Sequence, residues 1–210
     1  MEELTRIVEL LNTHLNVSAF SDVSQNGLQV EGVPHVRRIV GLVDASREGF
    51  AAAVDAEADM IVVHHGILWN SPVWLTGIMR ERVGMLIEEG ISLYAAHLPL
   101  DAHPVLGNNA GIARLLEANI DEWYAELGGN PIACMCSWNT PRTLSETSDA
   151  LDSALHTCTR VYDFGPEKIT RFGVVSGAGC DALAETCTRD ADLFITGEPR
   201  LNVYHEAQEH

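Results

Sequence analysis

Apolar residues recur every three or four positions between Glu2 and Leu15. Leu4, Ile7, Val8, Leu11 and Leu15 fall on one face, which predicts an amphipathic opening helix. The turn-rich stretch SDVSQNGLQVEG follows, punctuated by Asn26-Gly27. The pattern then alternates between short apolar runs and helical spacing. It predicts a strand over Arg38–Asp44, a helix over Ser46–Glu57, a strand in DMIVVHHG, a helix over Ile78–Glu89 and a strand over Ile91–Ala96. Helix resumes over Gly107–Leu116, strand over Ile132–Trp138, and helix over Leu144–Leu155 with Thr143 as its cap. Strands alternating with helices predict an α/β fold with largely parallel sheets and flanking helices.

An internal repeat divides this pattern. With a shift of 133 residues, RIVGLVDASREGFAAAVDAEADMIVVHH (38–65) overlies RFGVVSGAGCDALAETCTRDADLFITGE (171–198) without a gap. Arg38, Ala45, Ala51, Ala58 and Asp59 are identical to Arg171, Ala178, Ala184, Ala191 and Asp192. Two pseudo-symmetric α/β lobes are therefore expected, a first over 1–125 and a second over 126–210. His65 overlies Glu198, so each copy ends its second strand in a side chain able to bind a metal.

Charge narrows the function classes. Thirty acidic residues against thirteen basic ones give a net charge of −17, which repels phosphate backbones and anionic membranes and attracts divalent cations. No nucleic-acid or membrane partner is expected. No apolar run reaches the length of a membrane span. The opening MEELTRIVELL carries glutamates where a secretion signal carries lysines, so a cytoplasmic location is expected. Five cysteines do not form a secreted disulfide framework, and Cys134-Met-Cys136 reads as a pair of small core hydrophobes.

The chemistry lies at strand ends, where open α/β sheets collect ligands. In DMIVVHHG four apolar residues run into His64, His65 and Gly66. Neighbouring strand residues point to opposite faces, so two adjacent histidines do not chelate one ion as a pair. Beyond the last ladder bond, both imidazoles reach one crevice, each towards a different ion. A second strand ends in His97, with Asp101 four residues later. Imidazole with carboxylate suits zinc, iron, manganese or nickel. ITGEP places Glu198 at the matching strand end of the second half, with His205-Glu206 on the helix beyond. His14, His35, His103 and His156 fit no such spacing and read as solvated loop or cap residues.

VVHHG, YAAHLPLDA followed by GNNA, LFITGEPRLNVYHEA and the SDVSQNGLQVEG turn together resemble the Nif-three-like dinuclear metal-centre family. Its members are often described as GTP cyclohydrolase 1 type 2 homologues. The resemblance covers nearly the whole chain. It implies two divalent metal ions per subunit, held by His64, His65 and Asp101, with His97 and Glu198 lining the same site. It also implies a ring-like homo-oligomer, commonly a hexamer. Members continue past the helix that reads VYHEAQEH with a strand and a Gly-His-x3-Glu segment supplying further ligands. This sequence stops at His210, so the second lobe is expected to be cut short.

Three function classes follow. The first is a metal-dependent hydrolase of a nucleotide-like or phosphorylated small molecule, in which His97 or Glu198 carries the proton. The second is a ring-shaped scaffold, and the third is a metal-storage or metal-delivery protein. No P-loop, Gly-x-Gly-x-x-Gly fingerprint or Gly-x-Ser-x-Gly elbow supports dinucleotide or nucleophilic-serine chemistry.

Overall fold

The computed structural model describes residues 1–210 and is a mixed α/β protein of two units, Met1–Leu100 and Asp101–His210. No helix is long and apolar enough to cross a membrane.

The first unit runs β1 (Glu2–Glu3), α1 (Leu4–His14), β2 (Gly27–Val30), β3 (His35–Val36), β4 (Ile39–Asp44), α2 (Arg47–Asp55), β5 (Met60–His65), α3 (Gly77–Glu88) and β6 (Ser92–Ala95). β1 and β3 form a small antiparallel pair. The main sheet has the order β2-β6-β5-β4, with β4–β5 and β5–β6 parallel and β2 antiparallel at one edge. Alternation along the two central strands divides the core. Ile61, Val63, Leu93 and Ala95 pack with Phe50 of α2 and Leu86 of α3. Met60, Tyr94 and Ala96 pack with Leu4 and Leu15 at the ends of α1. Fully burying a side chain such as Phe50, Ile61 or Leu86 contributes roughly 1.5–3 kcal/mol each, so both faces of these strands hold the sheet between helices.

A short helix, α4 (Leu98–Asp101), covers the division in the chain. The second unit continues with α5 (Asn108–Leu115), β7 (Asn119–Leu127), β8 (Asn130–Arg142), α6 (Leu144–Leu155), β9 (Ile169–Val175), α7 (Leu183–Cys187), β10 (Leu193–Thr196) and α8 (Leu201–Glu209). Its sheet has the order β10-β9-β8-β7. Only β9–β10 is parallel; β7, β8 and β9 run antiparallel to one another. The sequence pattern places a lobe division at 125, within β7. That strand pairs with β8 from Asn119↔Ser137 to Leu127↔Asn130, and it closes through Gly128 and Gly129, both at positive φ. Cys134 and Cys136 are buried in this unit's core beside Trp138, Phe172 and Val174. The hydrogen bond from Cys136 to Cys134 (3.6 Å) and burial both push the Cys136 thiol up, so it stays protonated and packs as a small hydrophobe.

The repeat read from the sequence is structural. β4 pairs β5 in the register Ile39↔Met60 and Val40↔Ile61, and β9 pairs β10 in the register Phe172↔Leu193 and Gly173↔Phe194, the same pairs displaced by 133 residues. The Asp59 carboxylate accepts the backbone N–H groups of Arg37 and Arg38, at 2.7 and 3.0 Å. Asp192 accepts those of Thr170 and Arg171, at 2.8 and 3.0 Å. Glu57 and Asp190 hold the same left-handed φ of 54° just before each second strand.

Candidate metal centre

The parallel strands β5 and β6 end at one edge of the first sheet, and the histidines gather there. Pairing with β6 stops at Val63↔Ala95, while pairing with β4 continues to Asp44↔His65. His64 follows the Met60–Val62 side of the strand, and His65 follows the Ile61–Val63 side. Past the last bond to β6 the two rings nevertheless lean together, with centroids 4.5 Å apart. The ring of His97 lies 5.1 Å from that of His64 and 5.7 Å from that of His65. One ligand nitrogen from each of the three falls within 4.8 Å of the others.

Each imidazole is held at its Nδ1. His64 Nδ1 donates to the carbonyl of Ala96 at 2.9 Å, His65 Nδ1 to Asp44 Oδ1 at 2.7 Å, and His97 Nδ1 to the two oxygens of Asp22 at 3.0 and 3.1 Å. A proton fixed on Nδ1 by an oxygen acceptor leaves the lone pair of a neutral ring on Nε2, the tautomer that binds metals. Three such nitrogens form a donor set suited to a divalent transition ion, and the carbonyl and carboxylates behind them raise their basicity. The His cluster can hold a metal.

The SDVSQNGLQVEG turn builds the wall behind this trio. The Asp22 side chain is almost fully buried. Burial raises its pKa, but bonds from His97, from Asn26 Nδ2 and from the Ser24 N–H outweigh that and hold the carboxyl well below the usual carboxylate range. Asp22 is therefore ionised behind His97. Asn26 Oδ1 accepts the backbone N–H of His97 at 2.7 Å. Gln29 Oε1 accepts the N–H groups of Ile67 and Leu68, fixing the loop that follows the histidine pair. A Cβ on Gly66 would stand 2.4 Å from Gln29 Oε1 and 2.7 Å from the Cβ of Ala95. Glycine here permits the close approach of this loop to β6.

Asp101 and Glu198 both belong to the second unit. Asp101 is buried, and its Oδ1 accepts Asn108 Nδ2 at 2.8 Å and Ser176 Oγ at 2.9 Å. Asn109, fully buried, orders the same region: its Nδ2 donates to the carbonyl of Ile132, and its Oδ1 accepts the N–H of Ser176. Glu198 is exposed beyond β10, and its N–H donates to the carbonyl of Gly177 at 2.9 Å. The trio of His64, His65 and His97 is thus the cluster that the first unit assembles by itself. The sequence pattern did not single out Asp22 or Asp44 as supports. Asp22 carried a signal, the turn motif, while Asp44 carried none beyond its place at the end of β4.

A family model described as Duf34/NIF3 (NGG1p interacting factor 3) matches residues 2–210. A relative from Archaeoglobus fulgidus, named GTP cyclohydrolase 1 type 2 homolog, is 41% identical over 206 residues, covering 98% of this chain and 82% of the relative. One of the same name from Pyrococcus horikoshii is 40% identical, covering 97% of this chain and 81% of the relative. A solved structure described as protein ybgI, of unknown function, superposes with a TM-score of 0.91 at 37% identity, covering 99% of this chain and 83% of that one. A second, the TTHA1606 protein from Thermus thermophilus, superposes with a TM-score of 0.88 at 36% identity, covering 99% of this chain and 82% of that one.

Proposed function

The chain belongs to the Duf34/NIF3 family, and from that premise we propose that it is a dinuclear, metal-dependent hydrolase of a nucleotide-like or otherwise phosphorylated small molecule. The observation that carries the reading is the trio itself, three imidazoles within 4.8 Å, each with its Nδ1 engaged behind it. The relatives' name, GTP cyclohydrolase 1 type 2 homolog, supports GTP as the first substrate to try.

In this reading His64 and His65 would hold the two ions through Nε2, and Asp101 would add the carboxylate that the family resemblance assigns. Divalent ions supply Lewis acidity towards water and towards the substrate's electrophilic centre. His97 holds and releases a proton at Nε2. The ionised Asp22 behind its Nδ1 orients the ring and stabilises the imidazolium, as a buried carboxylate does for a catalytic histidine. Glu198 is the second proton carrier. For a cyclohydrolase reaction the water attacks the imidazole ring of the purine, and these two groups move the protons that ring opening requires.

The test is turnover of GTP, other nucleotides and simple phosphoesters by the metal-loaded protein, with His97→Ala and Glu198→Ala alongside. The reading expects hydrolysis of one of these substrates, reduced about 100-fold or more by loss of a proton carrier. It expects His97→Ala to keep its metal. If His97→Ala loses metal together with activity, His97 is a ligand. No turnover above a metal-free control contradicts the enzyme reading and favours a scaffold.

We further propose a homo-oligomer, a hexamer by family resemblance. The edge strand β4 presents Ile39 and Val43 to solvent, and exposed apolar side chains on an unpaired edge favour association. Light scattering should return a multiple of the 22.9 kDa chain mass, and a monomer mass would overturn the claim.

A further inference from the structure

We propose that the groove beside His65 is an oxyanion site in which Arg82 takes a phosphate group of the substrate, an inference that rests on the hydrolase reading above. The groove is open to solvent, has a volume of about 510 Å³ and is lined by Asp44, Ser46, His65, Trp69 and Arg82 among others. That volume lies within the span of small-molecule sites. Since His65 belongs to the trio, the groove opens directly from the candidate metal centre.

Arg82 is placed there by the helix period. In α3, Met79 and Leu86 pack on the core, and Arg82 follows Met79 by three positions and precedes Leu86 by four. Its stem is thereby drawn inward. Its Nε is shut off from solvent and has no hydrogen-bond partner in the protein. Acidic residues outnumber basic ones thirty to thirteen, and nearby Arg47 is already paired with Glu81 at 2.7 Å. Leaving a buried donor unmet is costly, and an oxygen acceptor on a ligand in the groove that Arg82 lines offsets that cost. The planar guanidinium fork matches the oxygens of a phosphate.

The facing wall has the same preference. Ser46 caps the nine-residue α2, and its Oγ accepts the N–H of Gly49 at 3.0 Å. The N–H groups of Arg47 and Glu48 have no acceptor within the helix, and the positive end of the helix dipole faces the groove. One carboxylate, Asp44, also lines the groove, and its Oδ1 is already taken by His65 Nδ1. Glu81 is turned to Arg47. Arg82 is left as the group able to receive an anion brought to the metal centre.

Calorimetric titration of the metal-loaded protein with inorganic phosphate tests this, using Arg82→Gln and Arg82→Lys and measuring metal content on the same samples. The wild type is expected to bind phosphate. Arg82→Gln should weaken binding tenfold or more, with wild-type metal content and thermal melting. Arg82→Lys keeps the stem and the charge without the fork and should fall between the two. It carries the test if the glutamine variant does not fold. A wild type that does not bind phosphate overturns the assignment. So does phosphate binding that survives both substitutions, since the metal alone would then hold the anion. Arg82-dependent binding by a protein that takes up no metal upholds the oxyanion site and contradicts the hydrolase reading instead.

Discussion

His97 shows how much of the centre is decided by residues distant in the sequence. Its ring is aimed by Asp22, its backbone N–H by Asn26, and Asn26 in turn donates to Asp22 at 2.8 Å. Asp22→Asn keeps an oxygen to accept His97 Nδ1–H but removes the negative charge that makes the imidazole basic. Turnover is expected to fall about 10–100-fold while metal content and the fold are retained, as rate measurements beside elemental analysis would read. Wild-type turnover in this variant would show that Asp22 is merely structural. At this scale the histidines were legible, because four apolar residues followed by two imidazoles have few other uses. The carboxylates behind them were not. Asp44 meets His65 across a strand pairing, and Asp22 meets His97 across 75 positions of chain. Periodicity carries no information about such contacts.

Among elements, the duplicated strand–helix–strand unit was the most legible feature. Each copy encodes the same register, and in each an aspartate at the start of the second strand ties down the backbone entering the first. The cause is visible at Asp59. The Arg37 N–H bond lowers its pKa, joined by the Arg38 N–H and the nearby arginine charges, and burial opposes them. A carboxyl whose pKa is depressed on folding contributes stability that is present above its unfolded pKa of about 3.9 and is lost as pH falls through the folded value. Asp59→Ala should therefore lower the melting temperature at neutral pH, and the gap to wild type should close as pH falls below about 4. A gap independent of pH would contradict this account. Strand β7 was missed because NIDEWYAEL mixes charges into its alternation, leaving Glu122 and Glu126 exposed on an edge strand. Tertiary pairing with β8 decides its conformation where local pattern does not. The antiparallel half of the second sheet was illegible for the same reason.

At the scale of the whole molecule, a −17 chain needs a concentrated positive feature to act on anions. A metal bound beside Arg82 would supply one. Because the ligating imidazoles must be neutral, metal affinity should weaken as the solution is acidified. The central claim is that His64 and His65 of the histidine trio hold the metal centre. Elemental analysis of the protein purified without chelator, beside the double variant His64→Ala/His65→Ala, tests it most directly. The account predicts about two divalent ions per chain in the wild type, the count that a two-metal site requires, and their loss in the double variant with the fold intact. Metal content unchanged by removing both histidines would contradict it.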